Sequence, residues 1–204
     1  MVCTTQAVRW FQRAADKGDA TGELALGMQY VNGAGVPKDP VQGIRWIRKS
    51  AAQGNPEGQF WLGSAYSAGV GVAKDDVKAV LLYRKAADQG FAAAQFNLGQ
   101  AYGSGMGVVQ DAREADRWWL KAAEGGIPEA QYNVGLAYHN GTGVEKDEVQ
   151  AYFWTNLAAA SLDLAFVRKS RDEIGKLLAP TQLAAVQARC QHWAEAHQPA
   201  PLAY

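Results

Sequence analysis

The chain has 204 residues, and 48% of them are hydrophobic, which suits one large domain or two small ones with a packed core. Lys and Arg together number 20, as do Asp and Glu, and the isoelectric point is near 6.8, so no charge excess favours nucleic acid or an anionic membrane as a partner. No apolar run reaches the roughly 18 residues of a membrane-spanning helix and no secretory signal opens the chain, so the sequence predicts a soluble protein without membrane insertion.

The first predicted element is a single helix in residues 1–18, which ends near Gly18. Its sequence matches the second half of the units that follow, so we interpret it as a half repeat, the second helix of a preceding unit. Because this helix lacks its own partner helix, Trp10 and Phe11 are expected to be exposed or covered by another element. A homo-oligomer formed through the half repeat is one arrangement that the sequence allows.

Four units of 36 residues follow, at 19–54, 55–90, 91–126 and 127–162. Their register is strict, because equivalent residues recur at this spacing: Gly27, Gly63, Gly99 and Gly135, and likewise Asp39, Asp75, Asp111 and Asp147. Each unit predicts a helix, a glycine loop, a second helix and a second loop.

Capping residues mark the helices of these units. Asn55 before Pro56 predicts the start of a first helix, because an Asn side chain accepts from free N–H groups and the first helical position tolerates proline. The aspartate after each glycine loop predicts the cap of the second helix. Glycines in register predict the ends of the second helices: Gly18, Gly54, Gly90 and Gly126.

The glycine loop suggests either a phosphate-binding loop or a turn. The segment NGAGVPKD, residues 32–39, places glycines before Lys38, as phosphate-binding loops do. However, the loop recurs in all four units, and Gln110 replaces the lysine in the third copy. We therefore predict turns between antiparallel helices, where glycine adopts conformations that a side chain obstructs.

The pattern A-x-x-x-L-G-x-x-Y-x-x-G-x-G-V-x-x-D, followed by A-x-x-W-x-x-x-A-A-x-x-G, resembles the Sel-1-like repeat, a relative of the tetratricopeptide repeat. The resemblance covers residues 19–162 and implies an all-α fold, a right-handed α/α superhelical solenoid of about four repeats. Leu82 in place of tryptophan and Leu162 in place of the closing glycine are interpreted as local packing changes. The family also implies assembly or signalling roles in the bacterial cytoplasm or periplasm.

Residues 163–197 predict two capping helices, and residues 198–204 predict a disordered tail. Apolar residues share one stripe of the last helix and are expected to cover the end of the stack: Leu183, Val186, Cys190 and Trp193. Ala179 precedes Pro180 where a capping side chain is usual, so fraying is expected at the start of this helix.

Candidate chemistry is confined to the end of the last helix, at Cys190, His192, Glu195 and His197. At helical spacing the four side chains cannot converge, so we predict no metal site and interpret Cys190 as a buried structural thiol. Cys3 lies at the opposite end of the predicted stack, too far for a disulfide. No nucleophile, base and orienting group share a motif, and we predict no catalytic residues and no cofactor.

The first helices should line the concave surface of a repeat stack, and their free arc predicts the partner-binding site. Its residues are Leu24, Met28, Val31, Phe60, Ser64, Phe96, Gln100, Tyr132, Leu136 and His139. Aromatic side chains on such a surface are good anchors for a peptide or helix. An alternative is that the stripe of large residues, Leu24, Phe60, Phe96 and Tyr132, packs between first helices as core.

These observations predict an interaction scaffold or adaptor that binds a protein or peptide partner on its concave face. One alternative is a weak hydrolase of the β-lactam-binding kind, implied by some cysteine-rich relatives, although this chain has only two cysteines. A second is a self-associating structural module. RNA binding, known for related helical-pair repeats, is disfavoured because the chain is neutral and has no basic stripe.

Overall fold

The computed structural model describes residues 2–197, with side chains from residue 6 onward; the predicted disordered tail lies outside the described residues. Over this range the chain is all-α, which confirms the predicted fold class, and it holds eleven helices and no strand. The helices are α1 Val2–Asp16, α2 Ala20–Asn32, α3 Pro40–Ala52, α4 Pro56–Ala68, α5 Asp76–Asp88, α6 Ala92–Ser104, α7 Ala112–Glu124, α8 Pro128–Asn140, α9 Glu148–Ser161, α10 Ala165–Gly175 and α11 Pro180–Ala196.

The helices form two compact units, Met1–Gln110 and Asp111–Tyr204. In the first unit each helix from α1 to α5 packs on the next one along the chain, and the first helices α2 and α4 also touch. In the second unit α7 packs on α8 and α8 packs on α9, and both α10 and α11 pack on α9. No helix of the described residues is long and apolar enough to cross a membrane.

Capping follows the repeated aspartates. The side chains of Asp39, Asp75, Asp111 and Asp147 each accept a backbone N–H of the second helix that follows, as predicted. First helices are less regular, because Asp19 and Asn55 cap α2 and α4, whereas α6 and α8 begin without a side-chain cap. The start of α11 has no side-chain cap either, although the Gln182 side chain accepts the Ala179 N–H at 3.0 Å.

The loop glycines are turn residues, and the second glycine of the loop also docks on the preceding repeat. Gly107 has φ +73°, and a Cβ at this position would overlap the carbonyl oxygen of Asp76 at the start of α5. Gly71 has the same relation to Pro40 at the start of α3, with 2.5 Å between its Cβ position and the Pro40 carbonyl oxygen. Sequence reasoning found the turn but missed this contact between repeats, which also requires a residue without a Cβ.

Buried glutamine side chains tie the first helices α4, α6 and α8 to the second helix before each of them. They are Gln59, Gln95 and Gln131. The equivalent residue of α2, Glu23, is also buried but accepts from the Gln53 amide at the end of α3, at 2.7 Å. The Gln95 amide donates to the carbonyl of Ala87 at 3.2 Å, and that of Gln131 donates to Ala123 at 3.2 Å. These bonds satisfy carbonyl groups in the last turn of a helix, which has no intrahelical partners for them.

The two ends of the chain differ in how their apolar residues are covered. At the N-terminal end Phe11 packs with Val8 and Leu26, whereas Trp10 is 61% exposed. At the other end Val186 and Cys190 of α11 are buried, and the Cys190 thiol lies 3.8 Å from the carbonyl oxygen of Phe153. Burial raises the pKa of this thiol.

Candidate functional site

Among the cavities beside the first helices, three lie at matching places in the repeats. The first, about 360 Å³, lies between α2, α3 and α4; the second, about 200 Å³, lies between α4, α5 and α6; the third, about 220 Å³, lies between α7 and α8. Residues that line the first cavity include Met28, Val31, Ile44, Ile47, Trp61, Ser64, Ala68 and Val70. The second is lined in part by Asp76, Val80, Tyr83, Asn97, Gln100 and Met106, and the third by Asp116, Trp119, Asn133, Leu136, Ala137, Asn140 and Thr142.

The cavities are repeats of one site, because most of their lining positions are 36 residues apart. Equivalent sets are Ile44, Val80 and Asp116; Ile47, Tyr83 and Trp119; Trp61, Asn97 and Asn133; and Ser64, Gln100 and Leu136. The fold therefore presents the same cavity with different chemistry in successive repeats.

Half of the predicted site residues lie in these cavities. Met28, Val31 and Ser64 line the first cavity, Gln100 lines the second and Leu136 lines the third. Four of them, Met28, Ser64, Gln100 and Leu136, occupy one repeat position whose residue type changes in every unit, whereas the glycine and aspartate framework is constant.

The stripe of large residues does not form one free surface. Leu24 is buried in the core with Ile44 and Ile47, which corrects its placement on the free arc, because the side chain points between α2 and its neighbours. Phe60 is half-buried, and its ring centroid lies 5.3 Å from that of Phe91 and 6.0 Å from that of Tyr83.

Phe96 and Tyr132 are both half-buried, and α10 covers Tyr132. The Tyr132 ring meets Phe166 edge to face at 5.5 Å, and its hydroxyl lies 3.1 Å from that of Ser170. A helix that follows the repeats thus occupies the place that the sequence assigned to a partner at this position.

His139 is engaged inside its own repeat. Its Nδ1 lies 2.8 Å from a carboxylate oxygen of Glu148, which also pairs with Lys146 at 3.0 Å. Burial alone would raise the pKa of Glu148, but the hydrogen bonds from His139 and Lys146 outweigh burial and lower it. This contact between the end of α8 and the start of α9 gives His139 a structural role that does not depend on a binding partner.

Asp116 is the functional candidate that sequence reasoning missed. Its equivalents Ile44 and Val80 are apolar, and Asp116 is only 5% exposed, with no hydrogen-bond partner for its Oδ2 atom among the described residues. Desolvation by burial raises the pKa of this carboxyl to about 6. The signal that could have found Asp116 lies in the aligned repeats, where an acid replaces the apolar residues Ile44 and Val80 of the other units.

The chemistry of the cavities suits binding of side chains. The first cavity is apolar, with Met28, Trp61 and Val70 at its walls, and fits an aliphatic or aromatic group. The third combines a carboxylate, an indole and amides. Among the described residues, no three His, Cys, Asp or Glu side chains are grouped so as to hold a metal ion.

The family model for the Sel1 repeat matches the chain at residues 4–19, 20–55, 56–91, 92–127 and 128–161. It counts five segments where we predicted about four repeats, because the half repeat at the N-terminal end is counted too. A comparison with curated protein sequences gave no match.

Solved structures of bacterial repeat proteins are similar to this chain. A Sel1 repeat protein from Oxalobacter formigenes is 31% identical with a TM-score of 0.76, over 95% of this chain and 78% of that one. A protective antigen of uropathogenic Escherichia coli strains with an SLR fold is 30% identical with a TM-score of 0.55, over 94% of this chain and 56% of its own length. Cysteine-rich protein B of Helicobacter pylori is 25% identical with a TM-score of 0.50, over 61% of this chain and 90% of that one.

Proposed function

The chain belongs to the Sel1 repeat family, and from this premise we propose that it is a scaffold or adaptor that binds a protein partner through the cavities beside its first helices. Sel1 repeats commonly mediate protein–protein interactions. The partner presents a peptide segment or a helix whose side chains enter the cavities.

The observation that carries this proposal is the first cavity. It is the largest of the three equivalent cavities, about 360 Å³, and its walls are almost entirely apolar. Val70 at its edge is 38% exposed, so apolar surface continues outward from the cavity. A concave apolar site of this size, with an exposed apolar rim, is the usual form of a binding site for a side-chain anchor.

Residue variation between the cavities supports the same conclusion. Positions that close the turns and cap the helices are constant, whereas Ser64, Gln100 and Leu136 differ at one equivalent position. Packing of the helices against each other does not require this variation. A surface that contacts different side chains of one partner in successive repeats does require it.

The experiment is a selection of peptides from a random display library on the immobilised full chain, followed by affinity measurement on two variants. Ala68→Phe blocks the first cavity from an exposed position, so peptide binding should weaken about tenfold or more. Leu81→Phe, on the exposed side of α5 with 56% exposure, is the matched control and should bind as the native chain does.

Circular dichroism of both variants establishes that the helices are intact. If the native chain and Ala68→Phe bind the selected peptides with equal affinity, the first cavity is not the binding site. A loss in Leu81→Phe as large as that in Ala68→Phe would move the binding surface to the second helices.

In this proposal the chain has no chemistry of its own, as is typical of Sel1 repeat proteins. The hydrolase alternative is tested directly with a chromogenic β-lactam. Turnover above that of buffer, abolished by heat denaturation of the protein, would contradict the proposal.

A further inference from the structure

The third cavity differs from the other two in the charge of its wall. Asp116 occupies the position of Ile44 in the first cavity and Val80 in the second, and its buried Oδ2 atom, which lies against Gly143, has no hydrogen-bond partner among the described residues. Asp76 in the second cavity also has a buried oxygen, Oδ1, without a hydrogen-bond partner among the described residues, but Lys74 pairs with its other oxygen at 3.3 Å and balances its charge.

Polar groups surround this carboxyl on the cavity wall. Trp119 lies one helical turn after Asp116 and lines the same cavity. Asn133 and Asn140 bring side-chain amides from α8, and Thr142 adds a hydroxyl. A buried ionisable group without a partner is costly, and a ligand that supplies the partner removes that cost.

We propose that the third cavity is a receptor for one cationic side chain, an arginine, of the protein partner. The Asp116 carboxylate receives the guanidinium, the amide oxygens of Asn133 and Asn140 accept its remaining N–H groups, and Trp119 supplies aromatic surface. The inference rests on the proposed function, because it names the chemistry of one group of that partner.

Size and donor count favour arginine over other ligands. A cavity of about 220 Å³ is smaller than the pockets of drug-sized molecules, which are about 300 Å³ or more, and suits a single side chain. A guanidinium has five N–H donors, and the carboxylate, the two amides and the hydroxyl of Thr142 offer several acceptors. Lysine is a point charge that would use fewer of them.

Groups of the same molecule also face Asp116 and are the internal rivals of a ligand. Arg113 and Arg117 of α7, with Tyr138 of α8, line a second space against the same side chain. If either arginine paired with Asp116 in solution, the carboxyl would titrate at or below its usual pKa.

The test is an NMR titration of the isotope-labelled full chain with Nα-acetylarginine methylamide, observed at the Asp116 carboxyl carbon and the Trp119 indole N–H. The citrulline analogue is the neutral probe of equal size, and the lysine analogue separates a guanidinium from a generic cation. Saturable shifts are expected with the arginine probe, weaker ones with lysine and none with citrulline. Lowering the pH from 7.5 to 5 should weaken binding about tenfold, because burial raises the pKa of Asp116 to about 6 and most of the carboxyl is protonated at pH 5.

Asp116→Asn keeps the size of the side chain and should weaken arginine binding by about tenfold or more, since it removes the charged partner. Asp76→Asn in the second cavity should leave binding unchanged. Linear shifts without saturation, equal binding to Asp116→Asn, or an Asp116 carboxyl that titrates below its usual range would overturn the inference. If the native chain binds the selected peptides but not the arginine probe, the inference is overturned and the proposed function stands. If it binds the arginine probe but no peptide, the third cavity stands as a site for arginine and the proposed function is overturned.

Discussion

Gly107 shows at the scale of one residue how a loop serves two repeats. Its φ of +73° and its contact with the Asp76 carbonyl both exclude a side chain, whereas Gly90 has φ +85° with no atom near its Cβ position. Gly90→Ala should therefore cost only the strain of a left-handed conformation, about 1–2 kcal/mol of unfolding free energy.

Gly107→Ala should cost about 1–3 kcal/mol more than Gly90→Ala, because the added methyl group must also displace backbone. Urea denaturation of the two variants measures the difference directly. Equal losses would mean that the loop can move away from α5 without cost.

Asp116 makes stability depend on pH in the direction opposite to most carboxylates. Burial raises its pKa from the usual 3.8 to about 6 in the fold. Between these values the folded protein holds a proton that the unfolded chain has released, so the free energy of unfolding falls as pH rises from about 4 to about 6. The destabilisation is complete above this window and absent below it.

Asp116→Asn should remove this pH dependence. We expect a gain of about 2 kcal/mol in unfolding free energy at pH 7.5 and little change at pH 4. Asp88→Asn, at an exposed position of α5, is the control and should preserve the native pH profile. A native profile without a fall across this window would show that the carboxyl is solvated or paired.

At the scale of a helix, the buried glutamines hold α4, α6 and α8 to the second helix before each of them. Gln131 is 2% exposed and donates to Ala123 at 3.2 Å, so Gln131→Leu should cost about 1–3 kcal/mol by leaving that carbonyl without a donor. The comparison is Gln100→Leu, an exposed position where the next repeat has Leu136. Thermal denaturation should rank Gln131→Leu well below Gln100→Leu; similar melting temperatures would contradict the role of the bond.

The elements themselves were largely predictable from the sequence, because their signals are local. Asp147 caps α9 and Pro56 begins α4 as the pattern predicts, since caps and helix starts depend on a few neighbouring residues. The burial of Leu24 agrees with the alternative that the stripe of large residues packs as core. The cover of α10 over Tyr132 was not predictable, because it depends on which helix approaches that face.

The candidate site was partly predictable for the same reason. Periodicity placed Met28 and Ser64 on an accessible arc of their helices, where the cavity forms. It could not assign Asp116, which lies on a second helix and lines the cavity only after that helix packs against α8. The contact of His139, predicted as a partner-binding residue, with Glu148 was not visible in the sequence, because Glu148 belongs to the following helix.

At the scale of the whole molecule, the balance of charge leaves exposed apolar residues to govern self-association. The net charge is zero at neutral pH, so electrostatic repulsion between copies is weakest near the isoelectric point of 6.8. Trp10, 61% exposed on α1, is the largest such residue among those described. Sedimentation velocity near pH 6.8 should therefore show a smaller dimer fraction for Trp10→Ser than for the native chain.

Val109→Ser removes an apolar residue that is 87% exposed elsewhere in the sequence and controls for surface hydrophobicity in general. It should sediment as the native chain does. If Trp10→Ser and the native chain sediment equally at every concentration, the chain does not self-associate through α1.

The bond from a glutamine amide to a backbone carbonyl has a consequence for how such a chain can lengthen. Gln95 and Gln131 recognise a group that every residue carries, so neither requires a matching side chain on the neighbour. A duplicated stretch of 36 residues would find its attachment point ready at whichever unit preceded it. Growth by gene duplication therefore needs no compensating substitution at these bonds. The residues that line the cavity of a new copy can change without affecting them.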